Sequence, residues 1–224
     1  MNPAAKPAPV KDVHGDDRWM SMHKRFLIES EEQEPDVLLI GDFTISMIMH
    51  TETWDKYFSG LHCLNLGIAE DQTQNVLWRI ENGEIDKVNP KIVVLGIGSN
   101  NYEHTPEQIV EGISSCVKSI SDKHPSASIV VVKLFPSGQY PNPIRKKTEE
   151  VNERLEVALL DIPQVQVVNL DPGFLQPDGS ISHHDMYDYR HLTRHAAHRV
   201  YEPLADLLQQ LMCERSGTES TSYD

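Results

Sequence analysis

Residues 92–97 read Ile-Val-Val-Leu-Gly-Ile, a run without one polar side chain. A strand that does not alternate cannot keep one face in water, so it must be covered on both sides. Further strand candidates occur at 37–40, 61–66, 128–134 and 165–170, less uniformly apolar except at 37–40. Between them lie stretches with helical spacing: a start at 44–49, then 73–80, 105–123, 145–159 and 193–212. Thr105-Pro106 supplies an N-cap followed by a proline at the first helical position. Gly83 follows the helix at 73–80 as a stop signal. Upstream, Trp19, Met22, Phe26 and Leu27 stand at helical spacing, so a lid or edge helix is expected there.

Five strands separated by helices pair in parallel through right-handed crossovers. The expected fold class is α/β: a three-layer α/β/α sandwich with a five-stranded parallel sheet in flavodoxin-like order. The 224 residues fit one domain, expected at 18–213, with flexible tails at 1–17 and 214–224. The 34 acids and 20 bases leave a net charge of -14. That balance argues against nucleic acid, which needs clustered Lys and Arg, and against anionic membrane surfaces. No apolar run approaches the ~20 residues that span a bilayer, and residues 1–17 contain no apolar signal core. Cys63, Cys116 and Cys213 form no Cys-x-x-Cys motif and read as reduced thiols of a cytoplasmic protein.

In such sheets ligands bind beyond the carboxyl ends of the strands. Four segments are expected there: Gly41-Asp42-Phe43, Gly67 and its successors, Gly98-Ser99-Asn100-Asn101, and the loop bearing Asp188 and His191. His191 and His195 stand four apart, but no definite third and fourth ligand accompanies them, so no metal site and no cofactor is expected.

These segments, in this order, resemble the GDSL/SGNH serine-esterase family, and in particular the catalytic α subunits of type Ib platelet-activating factor acetylhydrolases. The likeness is carried by Leu64-Asn65-Leu66-Gly67-Ile68, Val76-Leu77-Trp78-Arg79, Glu81-Asn82-Gly83-Glu84, Pro141-Asn142-Pro143-Ile144-Arg145, Asp178-Gly179-Ser180-Ile181-Ser182 and the string from His184 to Leu192. The resemblance implies an SGNH-hydrolase-like domain and acyl transfer by a serine–histidine–aspartate triad.

Carried over residue by residue, Asp188 and His191 match the Asp-x-x-His pair and Asn100 matches the oxyanion asparagine. The nucleophile position holds Phe43. The oxyanion glycine falls on Glu70, within Gly67-Ile68-Ala69-Glu70-Asp71. Asp42, Thr44, Ser99 and Arg190 are expected to line the pocket, Arg190 standing where active relatives carry an aliphatic residue. A Glu70 pairing with Arg190 or His191 is also expected. Losing a triad nucleophile costs on the order of 10⁶ in kcat, and losing an oxyanion donor roughly 10²–10³.

The reading is therefore a pseudoenzyme of that family acting through protein binding. Its rivals are an active serine esterase removing a short acyl group from a phospholipid, and a sensor using the former pocket. The resemblance further implies a homodimer and, as a possible partner, a lissencephaly-type WD40 propeller protein.

Overall fold

A computed structural model describes the backbone of residues 2–220 and the side chains of residues 2–215. Five parallel strands form one sheet: β1 (Val37–Gly41), β2 (Cys63–Gly67), β3 (Ile92–Gly96), β4 (Ser128–Val132) and β5 (Val165–Val168). Their spatial order is β2-β1-β3-β4-β5, with the flavodoxin-like exchange of the first two strands. The central strands β1 and β3 are buried at every residue, as their unbroken apolar sequences require.

Six helices cover the sheet: α1 (Arg18–Glu32), a single turn α2 (Phe43–Ser46), α3 (Thr73–Glu81), α4 (Pro106–Lys123), α5 (Pro143–Leu159) and α6 (Arg194–Ser220). Two apolar cores result. One packs Leu38, Ile40, Val93 and Leu95 against α1, α3, α4 and α5. The other packs Val37, Leu39, Ile92 and Val94 against Phe58, Val200, Tyr201 and Leu204. Thr105 is the expected N-cap and forms a capping box with Gln108, each side chain accepting from the other's backbone N–H.

Several boundaries differ from the sequence reading. A short turn over Ser59–Leu61 delays β2 to Cys63. Helix α6 continues past Met212 to Ser220, carrying Pro203 inside it, so much of the segment expected as a C-terminal tail is helical; residues 221–224 lie outside the described residues. The segment expected to be a loose N-terminal tail is tied to the domain over its first residues. Thr73 Oγ1 donates to the Ala4 carbonyl at 2.7 Å, and Asn75 Nδ2 to the Ala8 carbonyl at 3.0 Å. Asn2 Nδ2 donates to the Gln108 carbonyl. Gly112 makes this approach possible: a Cβ there would lie 2.6 Å from the Ala4 oxygen.

Candidate active site

The turn after β1 is built by backbone contact. A Cβ on Gly41 would fall 1.9 Å from the Gly96 oxygen, so only glycine lets β1 and β3 end side by side. Asp42 then caps α2. Its carboxylate accepts from the Thr44 N–H at 3.0 Å and the Ser99 N–H at 3.3 Å. Burial pushes this carboxyl up to about 6, against the lowering effect of those hydrogen bonds and of the Arg190 charge. The Tyr201 hydroxyl donates to the Thr44 carbonyl, fixing the turn against α6.

Phe43 opens α2 and is 7% exposed. The His191 ring meets it at 4.8 Å between centroids, inclined by 72°. This edge-to-face geometry suits two aromatic rings. A void of about 10 Å³ remains beside it, bordered by Thr44, Met47, Phe135, Leu192 and Tyr201. That volume is barely room for one water.

His191 and Asp188 lie in contact, as the resemblance implied. His191 Nδ1 lies 2.6 Å from Asp188 Oδ2, and Asp188 Oδ1 accepts the His191 N–H at 2.7 Å. The intervening Tyr189 sits at φ 62°, a left-handed conformation that lets one carboxylate reach both the ring and the backbone of His191. Partial burial raises the Asp188 carboxyl, but the hydrogen bonds from His191 and Arg190 outweigh it and hold it below the usual carboxylate range.

Asn100 faces away from any substrate. Its Nδ2 donates to the Ala69 and Asp71 carbonyls at 2.9 and 2.8 Å, and its Oδ1 accepts from Arg190 Nη2 at 2.8 Å. The carbonyls can only accept and the guanidinium can only donate, so the amide orientation is set by its surroundings. Both amide hydrogens are occupied.

The expected pairing of Glu70 is corrected. Among the described residues no ion pair reaches Glu70, which is exposed. It borders a separate groove of about 840 Å³ between the N-terminal segment and residues 46–50. Arg190 turns instead toward Asn100 and the Phe43 and Tyr102 rings. The backbone at Glu70 has no positive φ, so a side chain there is not strained. Of the other expected lining residues, Thr44 borders the small void. Asp42 is buried beneath the turn, and Ser99 contributes backbone atoms to Asp42 and Arg190.

A buried ionic cluster that the sequence reading missed supports the loop beneath Asn100. Arg79 donates from Nε to Asp71 at 2.8 Å, and from Nη1 to Glu84 at 2.6 Å and to the Leu66 carbonyl. His23 Nδ1 meets Glu84 at 2.7 Å, and Trp19 Nε1 donates to Asp71 at 2.6 Å. Thus α1 and α3 hold the loop whose carbonyls hold Asn100. The available signal was Arg79 itself, one residue from Ile80 and three from Val76, on the face that packs inward.

The comparisons with known proteins agree with this fold. Residues 50–199 match the GDSL-like lipase/acylhydrolase family. The chain belongs to that family. The matched stretch begins downstream of Gly41-Asp42-Phe43. A curated relative, the platelet-activating factor acetylhydrolase IB subunit alpha1 of Pongo abelii, is 48% identical over 223 residues, covering 100% of this chain and 96% of its own. The IB subunit beta homolog of Drosophila melanogaster is 48% identical, covering 96% and 95%. Among solved structures, a GDSL-like lipase from Bacteroides thetaiotaomicron superposes with a TM-score of 0.69 at 16% identity, covering 86% of this chain and 98% of its own. At that identity the likeness speaks for the fold alone.

Proposed function

We propose that this chain is a catalytically inactive member of the GDSL family, retained for binding to other proteins. One observation carries the reading: the His191 ring, oriented by Asp188, packs on the Phe43 ring where a general base would need a hydroxyl. The occupied amide of Asn100 supports it from a second side. Residual catalysis after loss of a triad member is ~10³–10⁴ over water, too small to be the purpose of the protein.

The rival sensor reading, with a ligand entering the former acyl pocket, lacks space, because Phe43 leaves about 10 Å³. The rival esterase reading is separated by a fluorophosphonate probe on the wild-type chain. No labelling is expected. Stoichiometric labelling of any serine or threonine near Phe43 would overturn the proposal.

Relatives named as subunits support assembly. The expected form is a homodimer, read by sedimentation equilibrium. Binding to a WD40 propeller protein and a cytoplasmic location are extensions of the same reading. They are consistent with the absence, among the described residues, of a helix long and apolar enough to cross a membrane.

A further inference from the structure

The sheet has two edges, and they differ. β2 is buried from Leu64 to Gly67, whereas no residue of β5 is fully buried. β5 pairs with β4 alone. The Ile129 N–H donates to the Gln164 carbonyl, and the Lys133 N–H to the Val168 carbonyl. Backbone groups of a strand alternate in direction, so those of Val165 and Val167 face away from β4. The Val165 N–H turns back to the Ile162 carbonyl. The Val165 carbonyl and both groups of Val167 are left without a partner among the described residues. They are the groups that an added strand would use.

Helix α5 borders this edge. Lys133, whose N–H reaches the end of β5, pairs with Glu156 at 2.5 Å. Glu149, Glu153, Glu156 and Leu160 recur every three or four residues and so share one face, with Val157 beside them. Val157 is 75% exposed and Leu160 79%, the highest values for large apolar side chains among the described residues. Glu149, Glu153 and Asp161 meet no cation among the described residues. Of the bases nearby, Lys133 is taken by Glu156, Arg154 turns to Glu107 of α4, and Lys146 stands at the start of the helix. Carboxylates therefore dominate the rim of an apolar, unpaired edge.

The acids decide which occupant fits. Pairing β5 with β5 of a second copy across a two-fold axis would set two α5 helices side by side. Their carboxylates would then repel, so self-pairing is opposed. A strand carrying Lys or Arg meets the opposite sign, and the net charge of -14 attracts it from a distance. We propose that the β5 edge and the adjoining face of α5 dock an extended basic segment of a partner protein. The segment adds a sixth strand against Val165 and Val167, lays apolar side chains on Val157 and Leu160, and presents its bases to Glu149, Glu153 and Glu156. This rests on the reading that the chain acts through protein binding. β3 and β4 separate this edge from β1 and Phe43, so the experiment below and the probe labelling fail separately.

The probe is the peptide acetyl-Lys-Val-Lys-Val-Lys-Val-Lys-amide, titrated into the full chain at constant ionic strength. Amide resonances of Val165–Val168 and of residues 149–160 should move saturably. Labelled peptide should bind at least roughly tenfold more weakly to Leu160→Lys, which loses an apolar contact and gains a like charge. The pair Glu149→Gln with Glu153→Gln should weaken it as well. All three side chains are exposed, so these variants keep the fold. Glu31→Gln with Glu32→Gln removes the same charge from exposed positions on α1 and should leave binding unchanged. Two further peptides carry N-methyl groups on alternate residues, one set on each edge. One of the two should lose binding and the other keep it, because a strand pairs through one edge only.

Absence of saturable binding would overturn the proposal. So would equal weakening by the α1 pair, which would reduce the effect to general charge. Equal binding of the two methylated peptides would remove the added strand. Self-association of the wild-type chain that Leu160→Lys abolishes would give the edge to a second copy instead.

Discussion

Substituting Phe43→Ser puts a hydroxyl beneath the His191 ring and removes a side chain that is 7% exposed. The lost burial and the hole left behind should lower stability by about 3–5 kcal/mol, so assays belong well below the melting temperature. With every other part in place, a nucleophile is worth on the order of 10⁶ in kcat. Here one part is turned away. Asn100 directs both amide hydrogens at the Ala69 and Asp71 carbonyls, and Arg190 holds its oxygen. A missing oxyanion donor costs roughly 10²–10³.

Arg190→Leu removes the clamp on Oδ1 and the guanidinium over Phe43, and Glu70→Gly removes a carboxylate that would oppose the developing charge. The expected rank of kcat on p-nitrophenyl acetate is therefore wild type, then Phe43→Ser, then Phe43→Ser with Glu70→Gly, then the triple variant. The triple should exceed Phe43→Ser by roughly 10²–10³. The burst amplitude counts acylated sites, and adding His191→Ala gives the background. Phe43→Ser matching the triple would mean that the Asn100 amide is not held off. Wild type matching the triple would end the pseudoenzyme reading.

Arg79→Ala should destabilise the fold by about 3–5 kcal/mol in urea, because it leaves Asp71 and Glu84 buried without their cation; a loss below 1 kcal/mol would contradict the cluster. Asp42 gives a pH signature. Its native carboxyl titrates at about 6, against 3.8 when unexposed to the fold, so between these values the native state binds the extra proton. Its contribution to unfolding free energy therefore falls as pH rises through that window, and the deficit is complete above about 6. Urea midpoints of Asp42→Asn should lack this component; parallel pH profiles for wild type and variant would refute it. Deleting residues 2–9 removes the bonds to the Ala4 and Ala8 carbonyls, each worth about 0.5–1.5 kcal/mol net. A lowered melting temperature is expected, whereas an unchanged one would favour a loose tail.

The sheet was legible because its central strands are apolar at nearly every residue, which only a doubly covered parallel strand tolerates. The ends of the chain were not. The N-terminal segment is anchored through carbonyl groups and a small buried alanine, and composition carries no trace of either. Helix α6 runs past Met212 into a polar segment that reads as a frayed end. In the site, Asp188 and His191 were found through the family resemblance, and their contact is local. The direction of Asn100 was invisible, since it depends on two carbonyls from the loop that Arg79 holds in place.

The pairing guessed between Glu70 and Arg190 failed for an instructive reason. Opposite charges suggest a bridge, yet an exposed ion pair is worth only about 0–1 kcal/mol. Arg190 instead meets two aromatic rings and the neutral Asn100 Oδ1. One of those faces is Phe43 itself. Far apart in sequence, the two residues form a single contact, the ring supplying the surface on which the cation rests and the cation covering the ring. Reverting Phe43 alone would leave the arginine clamped on Asn100. Reverting Arg190 alone would leave the ring under His191. Phe43→Ser alone is therefore expected to gain less than its combination with Arg190→Leu.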